Sequence, residues 1–163
     1  MAGTDGFEGE LGRVPRSGVR GFRADRLRDL RVRAGLTPDD LAARLGTSRQ
    51  AVSTWEVGRS TPPPATLGLI AEALDTSVST LVPIPESQLR LADLRVHAAL
   101  SQADAAKLIG VSATVLADIE RGRKPESVER VASLADAYGV AAEVVSAAWV
   151  RTQEARTTRA QSR

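Results

Sequence analysis

Four polar residues are spaced so that a helix would present them together on one side: Arg49, Gln50, Ser53 and Thr54. In a helix of 3.6 residues per turn the residues between them, Ala51, Val52 and Trp55, point to the opposite side and would be buried. Arginine can bridge two acceptors of guanine, glutamine can pair with adenine, and serine or threonine can contact bases or phosphates. The spacing therefore predicts a surface that reads base edges in the major groove of DNA.

The residues around this surface predict two short helices joined by a tight turn. Thr37 is a predicted N-cap, and Pro38 follows it at the first helical position. Gly46 breaks that helix, Ser48 caps the next one, and Gly58 ends it. Two such helices form a helix-turn-helix, whose second helix can enter the major groove with its N-terminal residues at the base edges.

Phosphate contacts are predicted from residues at the ends of these helices. Ser48 can bring a hydroxyl to the backbone in addition to capping its helix. Arg59 follows the base-reading helix and can neutralise a phosphate, and Arg44 is a weaker candidate at the end of the preceding helix.

The chain aligns with itself at an offset of 64 residues, with no gap from 27 to 81. Glycines and caps recur at this offset together with apolar positions: Leu27/Leu91, Arg31/Arg95, Asp40/Asp104, Gly46/Gly110, Ser48/Ser112, Glu56/Glu120, Gly58/Gly122 and Arg59/Arg123. We therefore predict an all-α fold of two tandem five-helix helix-turn-helix domains, at residues 25–82 and 89–150. A basic N-terminal arm (1–24), a proline-containing linker (83–88) and a basic C-terminal tail (151–163) are predicted around them.

Composition bounds the other classes of function. The chain has no cysteine and one histidine, which makes a metal site improbable, and no nucleophile or acid–base set has a catalytic spacing. No enzyme, cofactor or small-molecule ligand is therefore predicted. No apolar run approaches 18 residues, and the N-terminus lacks signal-peptide order, so we expect a soluble, cytoplasmic protein. The net charge of +2 divides into +1 for residues 1–24, +3 for 151–163 and about −2 for the remainder.

Residues 25–82 resemble the DNA-binding domain of the Cro/cI-type phage repressors, the XRE family of bacterial regulators. The resemblance rests on a helix followed by LAARLGTSRQAVSTWEVGRSTP, including the Trp-Glu-x-Gly-Arg run. It implies a lambda-repressor-like fold in which Arg49, Gln50, Ser53 and Thr54 read bases. The family usually has a phosphate-binding glutamine at the start of the second helix. Pro38 stands there in the first unit, and Gln102 stands there in the second.

The second unit keeps the framework but displays other residues on its third helix. Ala113 and Ala117 offer only methyl contacts, and Asp118 would face a polyanion, although a carboxylate can accept from cytosine. Three basic residues follow as predicted phosphate contacts: Arg121, Arg123 and Lys124. We expect this unit to bind DNA weakly or with little sequence preference, or to serve in packing and pairing.

The C-terminal stretch AAEVVSAAWVRTQEARTTRA can continue as a helix beyond the repeated fold. Its apolar residues form one patch: Val144, Val145, Ala148 and Trp149. Two interpretations are open, because this patch can pack against the chain's own domains or form a dimer surface. A dimer would suit a helix-turn-helix protein, since half-sites lie about 34 Å apart on DNA.

The function predicted from these features is sequence-specific binding to double-stranded DNA for transcriptional control, in the form of repression. The alternative is an antitoxin-like or adaptor protein whose helical domains chiefly bind a protein partner. The two differ in salt dependence, because binding to phosphates weakens steeply as salt rises.

Overall fold

A computed structural model describes residues 19–163, which form ten α-helices, one 3-10 turn and no strand. The chain divides into two compact units, Met1–Pro83 and Ile84–Arg163. The all-α, two-unit organisation predicted from the repeat is confirmed. Most of the predicted N-terminal arm, with Arg13 and Arg16, lies outside the described residues.

Residues 19–83 of the first unit form five helices, as the sequence predicts: α1 (Ala24–Arg33), α2 (Pro38–Leu45), α3 (Arg49–Glu56), α4 (Pro64–Ala73) and α5 (Val78–Leu81). Helix α2 packs against α3 and α4, while α1 packs against α3 and α5. The interior is aliphatic, with Leu27, Leu41, Val52 and Leu67 fully buried, and Trp55 is 8% exposed. Trp55 is therefore a core residue, as its position on the inner side of α3 predicts.

Local signals in the sequence explain where α2 and α3 begin and end. The Thr37 hydroxyl accepts from the Asp40 N–H at 3.1 Å, and the Asp40 carboxylate accepts from the Thr37 N–H at 2.8 Å. This reciprocal capping box holds the pKa of Asp40 below its usual value, because the Thr37 backbone N–H stabilises the charged form. Gly46 adopts a left-handed φ of 65°, which a side chain would disfavour, and ends α2.

The first unit begins earlier than the predicted domain boundary at residue 25. Val19 is fully buried, Arg20 is 7% exposed, and the Arg23 N–H donates to the Leu81 carbonyl at 2.9 Å. Residues 19–24 therefore belong to the first unit rather than to the predicted arm. Burial of an apolar side chain and a backbone hydrogen bond to α5 hold them in the unit.

The second unit also contains five helices: α6 (Leu91–His97), α7 (Gln102–Leu108), α8 (Ala113–Glu120), α9 (Val128–Tyr138) and α10 (Ala142–Gln161). Ser101 and Ser112 cap α7 and α8 through their hydroxyls, as predicted. The predicted linker holds the 3-10 turn Glu86–Gln88, and Ile84 within it is buried at 8% exposure.

Helix α10 continues well past residue 150, where we predicted the second domain to end. Its Thr152 side chain is buried, donates to the Ala148 carbonyl at 2.7 Å and accepts from the Leu91 N–H at 3.1 Å. The stretch predicted as a tail is therefore helical to Gln161. Thr152, near the start of that stretch, is hydrogen-bonded to α6.

Within residues 19–163 no single helix is long and apolar enough to cross a membrane. One pair, Val128–Tyr138 with Ala142–Gln161, passes such a test together by length and composition only, with a bend of 112° at its break.

A buried ion pair recurs at equivalent positions in the two units. The Arg31 guanidinium in α1 forms two bonds to the Glu56 carboxylate in α3 and donates to the Leu36 carbonyl at 2.7 Å. Arg95 in α6 binds Glu120 in α8 in the same way and donates to the Leu100 carbonyl at 2.9 Å. The repeat therefore duplicates a polar link between the first and third helices of each unit.

Candidate nucleic-acid interface

The predicted base-reading residues of the first unit lie along one side of α3, and the two nearest its start are exposed. Arg49 and Gln50 are both exposed, whereas Ser53 and Thr54 are half-buried one turn further on. The Thr54 hydroxyl donates to the Gln50 carbonyl at 2.7 Å, so its proton is used within the helix. Arg49 and Gln50 are the two side chains of this set that project into solvent with their donors available for base edges.

One weak contact holds the Arg49 side chain. Its guanidinium lies 3.8 Å from the Asp39 carboxylate at the start of α2, and both side chains are about two-thirds exposed, at 67% and 68%. An exposed ion pair of this kind is worth about 0–1 kcal/mol. A guanine with two good acceptors can therefore replace Asp39 as the partner of Arg49.

The start of α3 is fixed by Ser48, whose hydroxyl accepts from the Ala51 N–H at 3.1 Å. This bond uses one lone pair of the hydroxyl and leaves its proton free for a phosphate oxygen. Arg59 and Arg44 are both exposed and form no ion pair within residues 19–163. Pro38 opens α2 at the position of the family's glutamine and has no side-chain donor, so it makes no such contact.

The third helix of the second unit, α8, exposes residues of other types than α3 does. Ala113 and Thr114 are exposed at the start of α8, but Ala117 is buried at 8% exposure. The expected methyl contact from Ala117 is therefore wrong, because this side of α8 turns inward one turn after its start. No arginine or glutamine occupies an outward position of α8.

Asp118 pairs with two of the predicted phosphate contacts. Its carboxylate lies 3.2 Å from the Arg123 guanidinium and 3.9 Å from that of Arg121. Both arginines are more than half exposed, at 57% and 60%. The carboxylate therefore offsets part of the positive charge that these arginines would bring to DNA, while Lys124 is exposed and outside this cluster.

Gln102 opens α7 at the family's phosphate-binding position, but its side chain turns towards the protein. Its amide nitrogen donates to the Glu120 carboxylate at 2.8 Å, and Gln102 is half-buried. The amide therefore completes the Arg95–Glu120 pair and keeps one further hydrogen for an outside acceptor.

The apolar patch predicted as a dimer or interdomain surface belongs to the interior of the second unit. Val145, Ala148 and Trp149 are fully buried in its core cluster, and Val144 packs against that cluster. These side chains fill the space among α6, α8, α9 and α10, so none of the three buried residues is available to a partner. Of the two interpretations left open by the sequence, packing within the chain is correct.

Helix α10 also contacts the loop that follows α8, a feature that sequence reasoning missed. The Trp149 indole N–H donates to the Lys124 carbonyl at 3.1 Å, Gln153 to the same carbonyl at 3.2 Å, and Arg156 to the Gly122 carbonyl at 3.3 Å. A signal for this contact is present in the sequence. Ala147 stands in the second unit where the helix-stopping Pro83 stands in the first, and Trp149, Gln153 and Arg156 follow at i, i+4 and i+7.

Among the described residues, no group of three or more His, Asp or Glu side chains is arranged to hold a metal ion.

Two family models match the chain. A helix-turn-helix model matches residues 27–81, and a helix-turn-helix domain model matches residues 89–149. No curated protein and no solved structure gave a match. Each model covers one unit of the repeat, so the tandem arrangement found from the internal alignment is also found by comparison with known families.

Proposed function

Because the chain belongs to the XRE-type (Cro/cI-type) helix-turn-helix family of DNA-binding regulators, with two such domains in tandem, we propose that its first unit reads a specific operator sequence. The observation that carries this proposal is the start of α3. There, Ser48 caps the helix, and Arg49 and Gln50 project into solvent together. Both side chains can form two-bond pairs with bases, and each such pair contributes about 1–3 kcal/mol of discrimination.

The two units would then divide the work of binding. The first unit supplies base contacts through α3 and a phosphate contact through Arg59. The second unit displays no equivalent of Arg49 or Gln50 on α8, so its contribution would be to hold phosphates through its basic loop. Occupation of a promoter by such a protein would block transcription, which is the basis for proposing repression, exerted in the cytoplasm on the nucleoid.

Arg49→Ala is expected to weaken the preference among DNA sequences strongly, because it removes a two-acceptor contact to a base. Arg59→Ala is the matched control: it removes one exposed arginine from the same unit but is expected to weaken all duplexes similarly. Selection of bound sequences from random DNA, followed by binding titrations on the selected and a scrambled duplex, measures both effects. The selected-to-scrambled ratio should fall by about 10- to 100-fold for Arg49→Ala and stay constant for Arg59→Ala.

Recovery of the same site with the same ratio by wild type and Arg49→Ala would show that Arg49 does not read bases. If wild type selects no sequence and instead holds a protein partner independently of salt, the adaptor function replaces the proposed one. The symmetry of the selected site also reports the assembly, since a palindrome indicates a homodimer and an asymmetric site a tandem monomer.

Asp118→Asn is expected to tighten binding to every duplex by a few-fold, because it releases Arg121 and Arg123 from a nearby negative charge. Asp136→Asn is the control with the same change in net charge, at an exposed site on α9. Titration against a selected and a scrambled duplex at several salt concentrations separates the two variants. Equal affinities for wild type and Asp118→Asn would place these arginines away from the DNA.

A further inference from the structure

The inner side of α10 is apolar in its first part and basic in its last part. Val145, Ala148, Trp149 and Thr152 are buried on this side. The same side continues with arginines, since Arg156 follows Trp149 by seven residues and Arg159 follows Thr152 by seven, and Arg163 comes just after the end of the helix. Where the helix packs on its own unit the side is apolar, and where it extends beyond that packing the side is basic.

This basic side lies next to the loop after α8. Arg156 reaches the Gly122 carbonyl, and Gln153 one turn earlier reaches the Lys124 carbonyl. Arg121, Arg123 and Lys124 occupy that same loop, and all three are exposed. These side-chain-to-backbone hydrogen bonds therefore join two groups of positive side chains that are separated in sequence by about thirty residues.

The charge of this region is not cancelled by nearby acids on the helix. Glu154 is the one acid among residues 151–163, and it lies about 160° around the helix from Arg156. Glu126 follows the loop and is bound by the Ser146 hydroxyl at 2.6 Å. Asp118 offsets part of the charge of the loop arginines, and Arg159 and Arg163 are exposed with no ion pair within residues 19–163.

We propose that the loop Arg121–Lys124 and the basic side of α10, formed by Arg156 and Arg159 and followed by Arg163 after the helix, make one continuous site for the phosphodiester backbone of duplex DNA. The proposal rests on the proposed function and extends it to a segment outside the helix-turn-helix itself. The loop directly follows the helix that such a unit lays against the groove, and segments flanking that helix meet phosphates rather than bases. Arginine is suited to this task, because its planar guanidinium forms two bonds to a phosphate.

The site would add affinity without sequence preference. An acidic protein carries negative charge as DNA does, but the position of the site beside α8 favours DNA as its ligand. The second unit would thus act as a clamp on the backbone while the first unit reads the sequence. The salt dependence of binding reports the number of phosphates neutralised, with a slope of about 0.9 per phosphate for duplex DNA.

The test uses the full chain and two variants, Arg159→Gln and Arg156→Gln/Arg159→Gln. The plot of log K against log salt is expected to become less steep, by about 1 unit of slope for the single variant and about 2 for the double variant. Affinity should drop several-fold on the selected and the scrambled duplex alike, so that their ratio is unchanged. Arg33→Gln and Arg28→Gln/Arg33→Gln remove the same charge from exposed positions of α1 and should leave the slope at the wild-type value.

The single variant decides the outcome if the double variant is less stable, because Arg159 forms no ion pair within residues 19–163, whereas Arg156 supports the loop. A wild-type slope in Arg159→Gln overturns the proposal while wild-type selection of a sequence still supports the proposed function. Failure of the wild type itself to bind any duplex removes the proposed function first. Loss of binding to poly-glutamate with an unchanged DNA slope would assign the surface to an acidic protein and also overturn the proposal.

Discussion

Glu120→Ala is expected to lower the free energy of unfolding of the second unit by about 3–5 kcal/mol. The substitution leaves the Arg95 guanidinium buried without its carboxylate, since the two side chains are only 5% and 4% exposed. It also leaves the Gln102 amide without its acceptor. One carboxylate thus satisfies donors from α6 and α7.

The double variant Arg95→Met/Glu120→Leu separates the cost of the unpaired charge from the value of the pair. Replacing both partners by apolar side chains removes the buried charge together with its counter-charge, and such replacements are often close to neutral. We therefore expect the double variant to be more stable than Glu120→Ala alone. Urea unfolding gives the free energies, and hydrogen exchange of peptides from each unit shows which unit has lost protection.

Glu56→Ala is the matched variant in the first unit, where the pair is slightly more exposed, at 10% and 8%, and no glutamine joins it. A smaller loss than for Glu120→Ala is expected there. A loss below about 1 kcal/mol in Glu120→Ala would mean that the pair behaves like an exposed one and that its burial contributes little.

The framework of each unit could be predicted from the sequence because its signals are local. Thr37, Ser48 and Ser112 each cap the helix that follows by a hydrogen bond to an N–H three residues on. Gly46 supplies a left-handed φ that other residues disfavour. The helices and their inward sides therefore follow from short-range rules. Because the units repeat at an offset of 64 residues, a helix predicted in one unit can be checked against its equivalent in the other.

The partners of the charged side chains could not be predicted from the sequence, because pairing depends on side-chain reach across turns and helices. Asp118 and Arg123 are five residues apart, with the end of α8 between them, so helical spacing alone does not bring them together. Arg95 and Glu120 are 25 residues apart, and their pairing requires the packed arrangement of α6 on α8. The repeat gave a hint, since both members recur at the same offset as Arg31 and Glu56.

The role of the apolar residues in α10 could not be chosen from the sequence for a similar reason. Periodicity shows that Val145, Ala148 and Trp149 share a side, but it does not show which surface covers that side. The structure supplies the partner surface from α6, α8 and α9 of the same unit. Dimerisation of this protein would therefore need a surface other than these residues.

The contact between α10 and the loop after α8 leads to the second large effect, at Gly122. A Cβ on Gly122 would lie 2.9 Å from the Thr152 carbonyl oxygen and 3.2 Å from the Gln153 Cα. Both are backbone atoms of a helix and cannot move aside independently. The φ of Gly122 is +73°, so a side chain there would also be strained by the left-handed backbone.

Gly122→Ala is expected to destabilise the second unit by about 2–5 kcal/mol, combining the left-handed conformation with overpacking against α10. Gly58→Ala is the matched control in the first unit. Its φ is +72°, but among residues 19–163 its added Cβ would meet only the Ala24 Cβ, at an ordinary 3.8 Å. It should therefore cost about 1–2 kcal/mol, the conformational part alone. Hydrogen exchange should show loss of protection along α10 in Gly122→Ala and none there in Gly58→Ala. Equal losses of stability in the two variants would mean that α10 shifts to accommodate the added Cβ at no cost in free energy. The packing of α10 against the loop would then not be tight.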